Sequence, residues 1–317
     1  MNKIPQIGFG LWKVDRSDCA DVVLDAVKAG YRHFDCAADY GNEAEVGEGL
    51  AAAIEQGLVT RDQLWITSKL WNTYHHPDHV DQACQKSLND LKLGYLDLYL
   101  VHFPIALEYV PIEKRYPPEW LYNPDDPNPE MRRAPVSLQS TWQAMESLIE
   151  AGKTRQIGAC NYNSALIHDL MSYATIAPSM LQIEAHPYLT QEKLIRLADQ
   201  YKIPVTAFSP LAALSYVEIG MADSNDSILT EQVVTAIADE LGKTPAQIVL
   251  RWGIQRGTAI IPKSSNPGRI RENLAIIDFR LSKNHMAAIS ALNANRRFND
   301  PGVFCEKAFG LFNPIYD

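Results

Sequence analysis

Short apolar runs recur along the chain, separated by longer stretches in which apolar residues return every three or four positions. Runs of this length bounded by Gly, Pro and polar clusters read as strands, and the spacing between them reads as helix. Eight strands are predicted: Ile7 to Trp12, Tyr31 to Asp35, Leu64 to Lys69, Leu96 to His102, Gln156 to Asn161, Met180 to Ala185, Val205 to Ser209 and Ala259 to Lys263. The clearest intervening helix places Val80, Ala83, Cys84, Leu88 and Leu91 on one face, with Gly94 as its predicted terminator. Another carries Trp142, Met145, Leu148 and Ile149 before Gly152. Strands alternating with helices predict a parallel sheet. Eight such units without a break in composition suit closure better than an open sheet, so the expectation is one α/β domain over residues 1–317, a (β/α)8 TIM barrel.

Two segments interrupt this rhythm. Pro104 to Pro135 holds eight of the 19 prolines, a density that excludes a continuous helix or central strand and predicts a long loop after strand four. Arg296 to Asp317 reads as a second loop at the C-terminus, preceded by an extra helix around Ser282 to Leu292. Barrel active sites are built from loops that follow strands, so both segments are candidates to shape a site.

Charge and composition narrow the partners. A formal net charge of −9 opposes a phosphate backbone over most of the surface and argues against nucleic acid. No stretch approaches the roughly 18 apolar residues of a membrane helix, and Met1 to Pro5 has no signal-peptide core, so a cytoplasmic location with no membrane partner is expected. Cys19, Cys36, Cys84, Cys160 and Cys305 are odd in number and widely spaced, which reads as reduced thiols and not as a disulfide framework or a zinc site. His75, His76 and His79 surround Pro77, which disrupts helical presentation of two histidines, so no metal site is expected.

The candidate chemistry lies at the predicted strand ends. Asp35 closes strand two with Tyr40 five residues beyond it, Lys69 closes strand three and His102 closes strand four. Singly, each has an ordinary structural reading as a cap, a core histidine or a packing residue. Together they fall on the barrel face that carries active sites. A free tyrosine titrates near ~10, too high for an efficient proton donor at neutral pH, and a neighbouring ammonium lowers it. A buried ammonium needs a carboxylate partner in turn, which Asp35 would supply, leaving His102 to align a substrate oxygen. No G-x-G-x-x-G follows a strand and no G-x-x-x-x-G-K-[ST] is present, so neither a Rossmann nor a P-loop nucleotide site is supported.

The chain resembles the aldo-keto reductases over essentially its whole length, through Gly30-Tyr31-Arg32-His33-Phe34-Asp35, Asn42-Glu43-Ala44-Glu45-Val46-Gly47, Ser68-Lys69-Leu70-Trp71, Leu98-Tyr99-Leu100-Val101-His102 and Ile261-Pro262-Lys263-Ser264. Within that superfamily, His102-Phe103-Pro104-Ile105, Val110 to Pro118 and Arg297-Phe298-Asn299-Asp300-Pro301 are similar to xylose reductases of the aldose reductase type. Phe34 to Tyr40 also looks like plant aldose-6-phosphate reductases. The resemblance implies that Tyr40 is the general acid, that Lys69 and Asp35 tune it and that His102 orients the carbonyl. It further implies NADPH, with NADH as the alternative, bound extended without a Rossmann domain. Asn161 and Gln182 would hold the carboxamide, Phe208 would stack on the nicotinamide, and Ser209 and Leu211 would lie along the pyrophosphate. Lys263, Ser264, Ser265, Arg269, Glu272 and Asn273 would enclose the adenosine and its 2′-phosphate. Cys160 and Phe208 stand where many members have a serine and a tyrosine, which removes two hydroxyls and keeps the aromatic face.

For the substrate, Trp12, Trp71 and Phe103 match the apolar wall of the family pocket, and Asp39 and Asn299 are polar groups suited to sugar hydroxyls. An apolar wall with a few polar anchors suits a small carbonyl compound. The expectation is an aldehyde, foremost an open-chain aldose such as xylose, reduced to its alditol by a monomer or homodimer. A phosphorylated aldose is the alternative and needs an extra cation, for which Lys114, Arg115, Arg132, Arg133, Arg296 and Arg297 are available. A low-turnover cofactor-binding subunit is disfavoured because all four catalytic residue types are present.

Overall fold

The computed structural model describes residues 4–316. Met1 to Lys3, read above for a signal-peptide core, and Asp317, the end of the predicted tail, lie outside the described residues. Eight parallel strands run in sequence order: β1 Phe9–Gly10, β2 His33–Asp35, β3 Trp65–Leu70, β4 Leu98–Val101, β5 Ile157–Cys160, β6 Leu181–Glu184, β7 Val205–Phe208 and β8 Ala259–Ile260. The ends of the sheet meet, because Gly8 N donates to Ile260 O at 2.8 Å and Gly10 N to Pro262 O at 3.0 Å. This is the order and curl of a (β/α)8 fold. Gly10 is required at that seam, since a Cβ there would sit 2.7 Å from the Ile261 carbonyl oxygen. The strands are buried on both faces, as a parallel sheet sheathed in helices demands.

The sheathing helices are α1 Arg16–Ala29, α2 Glu43–Glu55, α3 Pro77–Asp90, α4 Leu138–Glu150, α5 Ser164–Tyr173, α6 Glu192–Gln200, α7 Gln232–Leu241, α8 Pro245–Gln255 and α9 Pro267–Leu274. Their ends follow capping chemistry. Asp15 accepts from Ser17 N to start α1, Ser137 from Ser140 N to start α4, and Asn266 from Arg269 N to start α9. Helix α3 buries the predicted stripe Val80, Ala83, Cys84 and Leu88 but does not wait for Gly94. Lys92 takes the left-handed conformation at φ 57°, and Leu93 N returns to Leu88 O at 3.0 Å, so the chain turns two residues before the glycine. Helix α4 ends before Gly152, as expected, and Gly152 takes a left-handed conformation at φ 70°.

The loop predicted from Pro104 to Pro135 carries turns and one antiparallel bridge, Leu107 to Arg133, with no helix or strand. The extra helix is present as α10 Lys283–Ser290, capped by Ser282. The predicted C-terminal loop is corrected: it holds a helix, α11 Pro301–Phe309. Asp300 accepts from Gly302 N at 2.8 Å, Pro301 occupies the first turn, Gly310 ends it at φ 68°, and Pro301 and Cys305 are buried. A third break in the rhythm, residues 209–231 between β7 and α7, consists of short 3-10 turns and did not stand out in the sequence.

Candidate active site

Strand β2 ends at Asp35, β3 carries Lys69 next to its last residue, and His102 follows β4 directly. The parallel register pairs Asp35 with Thr67 and Lys69 with Leu100, so consecutive strands deliver their side chains to one end of the barrel. Tyr40 closes a short 3-10 turn after β2. Lys69 is fully buried and donates to Asp35 Oδ1, to Cys36 O at 2.8 Å and to Tyr40 Oη at 3.0 Å. The other Asp35 oxygen accepts from Gln182 Nε2 at 2.6 Å. Burial alone pulls the Lys69 ammonium down; the Asp35 charge, helped by Tyr40, outweighs it and holds the group above the usual lysine range. The sequence reasoning had the phenol lowered by this ammonium. Instead burial dominates and pushes Tyr40 above its ordinary value, with Lys69 opposing. A resting Tyr40 therefore keeps its proton, with the Lys69 ammonium 3.0 Å from its hydroxyl. His102 is held well below its usual value by burial and then by Lys69 and His75, so its imidazole is neutral.

These groups open into a cavity of about 680 Å³. Asp35, Tyr40 and His102 line its inner end, and Lys263 after β8 lines the same space. Asn161, Gln182, Phe208, Ser209 and Leu211 also line it. Asn161 and Ser209, each just after a strand, both have positive φ, 63° and 48°, an unusual backbone cost for residues other than glycine. The Asn161 amide is aligned by donation to His102 O at 2.9 Å and by acceptance from Tyr316 Oη at 3.2 Å. Across the groove, Lys13 donates to Ser215 O at 3.1 Å and pairs with Glu218 at 2.5 Å, a clasp that sequence spacing gave no means of finding.

The outer group of candidates divides. Lys263 and Arg269 are exposed and make no ion pair among the described residues, and Arg269 sits in the first turn of α9. Two exposed cations near a helix N-terminus, in a chain of net charge −9, fit a phosphate, although Lys263 also feels the Glu218 carboxylate. Ser264 and Ser265 adjoin them on the approach to α9; Ser264 Oγ accepts from Asn266 N at 3.1 Å. Glu272 accepts from Thr244 Oγ1 at 2.7 Å and Asn273 is buried, so both are engaged in packing α9 against its neighbours as the helix stands. Of this outer group only Lys263 lines the cavity.

At the substrate end, Trp12, Asp39, Phe103 and Asn299 line the cavity and Trp71 does not. Trp71 is fully buried, its Nε1 donates to Glu119 O at 2.9 Å, and its ring packs edge-on against His102 at 5.2 Å. The ring backs the wall, and Trp120 of the long loop, absent from the sequence expectation, supplies the face instead. Tyr216 was also missed: buried, it bonds Ser209 Oγ at 2.8 Å and stacks on Phe298 at 5.8 Å. Of the six loop cations, only Arg297 lines the cavity. Arg115 and Arg133 donate to loop carbonyls, Arg132 and Arg296 pair with Glu130 and Asp226, and Lys114 lies over Tyr122.

Asp39 has a measurable signature. Burial, and then the Glu119 charge, raise its carboxyl from 3.8 to about 7. The folded state therefore holds this proton more tightly than the unfolded chain. That contribution is complete below pH 3.8 and is lost as pH rises through about 7. Asp39→Asn, which cannot ionise, should match the wild type in thermal midpoint near pH 4 and exceed it at pH 8. For a half-buried group the gain should be on the order of 1 to 2 kcal/mol. Equal midpoints at pH 8 would contradict the assignment.

An acid, a phenol, an ammonium and a neutral imidazole at the mouth of a (β/α)8 fold, beside a groove for an extended nucleotide, define a carbonyl-reducing type of site. The chain belongs to the aldo/keto reductase family, whose pattern matches residues 6–294. It is 49% identical over 300 residues to a probable NAD(P)H-dependent D-xylose reductase of Aspergillus fumigatus, covering 94% of each chain. It is 46% identical over 315 residues to the NAD(P)H-dependent D-xylose reductase of Aspergillus niger, covering 99% of this chain and 96% of that one. Among solved structures it is similar to the aldose reductase of Schistosoma japonicum, with TM-score 0.83, 36% identity and coverage of 93% and 91%.

Proposed function

We propose that this chain, working as a single cytoplasmic domain, reduces the aldehyde of an open-chain aldose, xylose foremost, to the alditol at the expense of NADPH, with NADH as a weaker alternative. The observation that carries the reading is the hydrogen-bonded chain Asp35–Lys69–Tyr40, which ends with His102 in the cavity that also reaches Lys263. A bound reduced nicotinamide supplies the hydride. Tyr40 Oη donates the proton to the carbonyl oxygen, Lys69 stabilises the phenolate that forms, and Asp35 keeps the ammonium charged. His102, neutral and packed between Trp71 and Phe103, fixes the direction of the oxygen. Asn161 and Gln182 would hold the carboxamide against the Phe208 face, and Lys263 with Arg269 would take the 2′-phosphate. Asp39 and Asn299 meet the sugar hydroxyls, while Trp12, Phe103 and Trp120 exclude water around the aldehyde.

Steady-state oxidation of NADPH by the purified protein tests this. Xylose should give a larger kcat/KM than glucose 6-phosphate. The reverse order would move the reading to a sugar phosphate held by Arg297. NADPH should be preferred to NADH by about tenfold or more, and Arg269→Ala should remove most of that margin, because a guanidinium contributes paired charged hydrogen bonds to a phosphate. An unchanged cofactor ratio in that variant would remove Arg269 from the site.

A further inference from the structure

The substrate wall formed by Phe298 and Asn299 belongs to no strand or helix; it lies between α10 and α11. Its position is set from β6. Glu184, the last residue of that strand, is completely buried and does not line the cavity. Its Oε1 accepts from Phe298 N and its Oε2 from Asn299 N, both at 2.8 Å. His186 Nε2 lies 2.8 Å from Oε1, and the His186 ring packs on Phe298 at 5.4 Å. Upstream, Ala294 N and Arg296 N donate to Tyr188 O at 3.1 and 3.0 Å, and Asn293 Oδ1 accepts from Thr190 N at 3.0 Å. Residues 293–299 are thus moored along the turn that follows β6; next to the cavity one carboxylate grips the two backbone amides, while Tyr216 stacks on Phe298 and bonds the Asn299 side chain.

We propose that Glu184 is a specificity-positioning residue: its carboxylate, by gripping two consecutive amides, holds Asn299 and Phe298 at the substrate and so sets selectivity for hydroxylated over plain aldehydes. The geometry needs two acceptor oxygens on one rigid group. Phe298 N and Asn299 N point to different oxygens of the same carboxylate, which fixes the rotation of the segment as well as its distance. A glutamine offers one acceptor and an NH2 that faces an N–H, so one amide is left without a partner in a buried place. The chemistry at Tyr40 is untouched, because Glu184 belongs to neither the Asp35–Lys69–Tyr40 chain nor His102.

The inference rests on the aldose reading above, and the experiment separates the two. Full-length wild type and Glu184→Gln are compared with NADPH on xylose and on butanal, which has no hydroxyl for Asn299. A wild type that reduces butanal and not xylose overturns the aldose reading and this inference with it. If wild type favours xylose, Glu184→Gln should lose about 10- to 100-fold in kcat/KM for xylose, mostly through KM, the size expected when a polar group of a sugar site is misplaced. Its kcat/KM for butanal and its NADPH affinity should stay within about threefold. Glu184→Asp, which keeps both oxygens on a shorter arm, should fall between the two, and serves if the glutamine variant does not fold. In an Asn299→Ala background Glu184→Gln should add little further loss on xylose, since the two act on one contact. An unchanged xylose-to-butanal ratio in both Glu184 variants, or equal losses on the two substrates, overturns the proposal.

Discussion

Tyr40→Phe should lower kcat for xylose by about 10³-fold or more while leaving NADPH affinity within a factor of about three, because only the donated proton is removed. The hydroxyl is the one group at the inner end of the cavity that both touches the Lys69 ammonium, at 3.0 Å, and holds a proton at neutral pH. Its ring contacts remain: a phenylalanine can keep the edge-on packing against His102 at 6.0 Å. Stability should change little, since the lost bond is to a lysine that keeps its partners Asp35 and Cys36 O. The check is a fluorescence titration of NADPH beside the turnover assay. Full activity in this variant would sink the assignment of the acid, and His102 would have to be reconsidered as the donor.

Lys69→Met should be the most damaging single change, in both activity and stability. The methionine fills a similar volume, so the effect is electrical. Asp35 is buried, with Lys69 on one oxygen and Gln182 on the other, and loses the one ion-pair partner it has among the described residues. Breaking a buried pair from one side costs about 3–5 kcal/mol. Turnover should fall by about 10³-fold or more, because the phenolate formed at Tyr40 has no neighbouring cation to stabilise it. Thermal unfolding of Lys69→Met against Lys69→Met/Asp35→Asn is the measurement that isolates the cause: the double variant should recover most of the stability and none of the activity. A double variant as unstable as the single would mean that Lys69 matters for packing and not for charge.

Three of the four residues proposed for the chemistry, Asp35, Lys69 and His102, were legible because each lies at or just past a strand end, and Tyr40 was found from its nearness to Asp35 in sequence. Finding the apolar runs of β3 and β4 also finds the ends at which Lys69 and His102 lie, because parallel strands in register deliver those ends to one side of the barrel. What lies on connecting segments was harder to read. Helix α11 was legible in principle, since Asp300-Pro301 followed by Gly310 is a helix start and stop, but the same residues also serve in turns and were read that way. Residues 209–231 contribute Tyr216 and the Glu218 side of the clasp, yet their sequence merges into the helical pattern of α7, so no break is visible. Lys92 ends α3 in a left-handed conformation that a lysine does not advertise. Trp71 and Trp120 exchanged places because tryptophans look alike in sequence and only the third dimension says which backs a wall and which forms it. The sign of the Tyr40 shift failed for a related reason. The ammonium could be placed from the sequence, whereas the depth of burial that outweighs it could not.

The far wall of the substrate pocket is a small aromatic stack shared between two distant parts of the chain. Trp120 comes from the proline-rich segment after β4 and lies 5.3 Å from Phe304 and 6.0 Å from Phe309 of α11. None of the three belongs to a strand, yet Trp120 also packs on Trp71 at 4.8 Å and Phe103 at 5.2 Å, the two rings that hold His102. This part of the cavity wall is therefore built by a pair of segments and not by either alone. An engineer who grafts a new loop after β4 without its matching C-terminal helix leaves one half of a stack facing water, and the two pieces should be exchanged as a set.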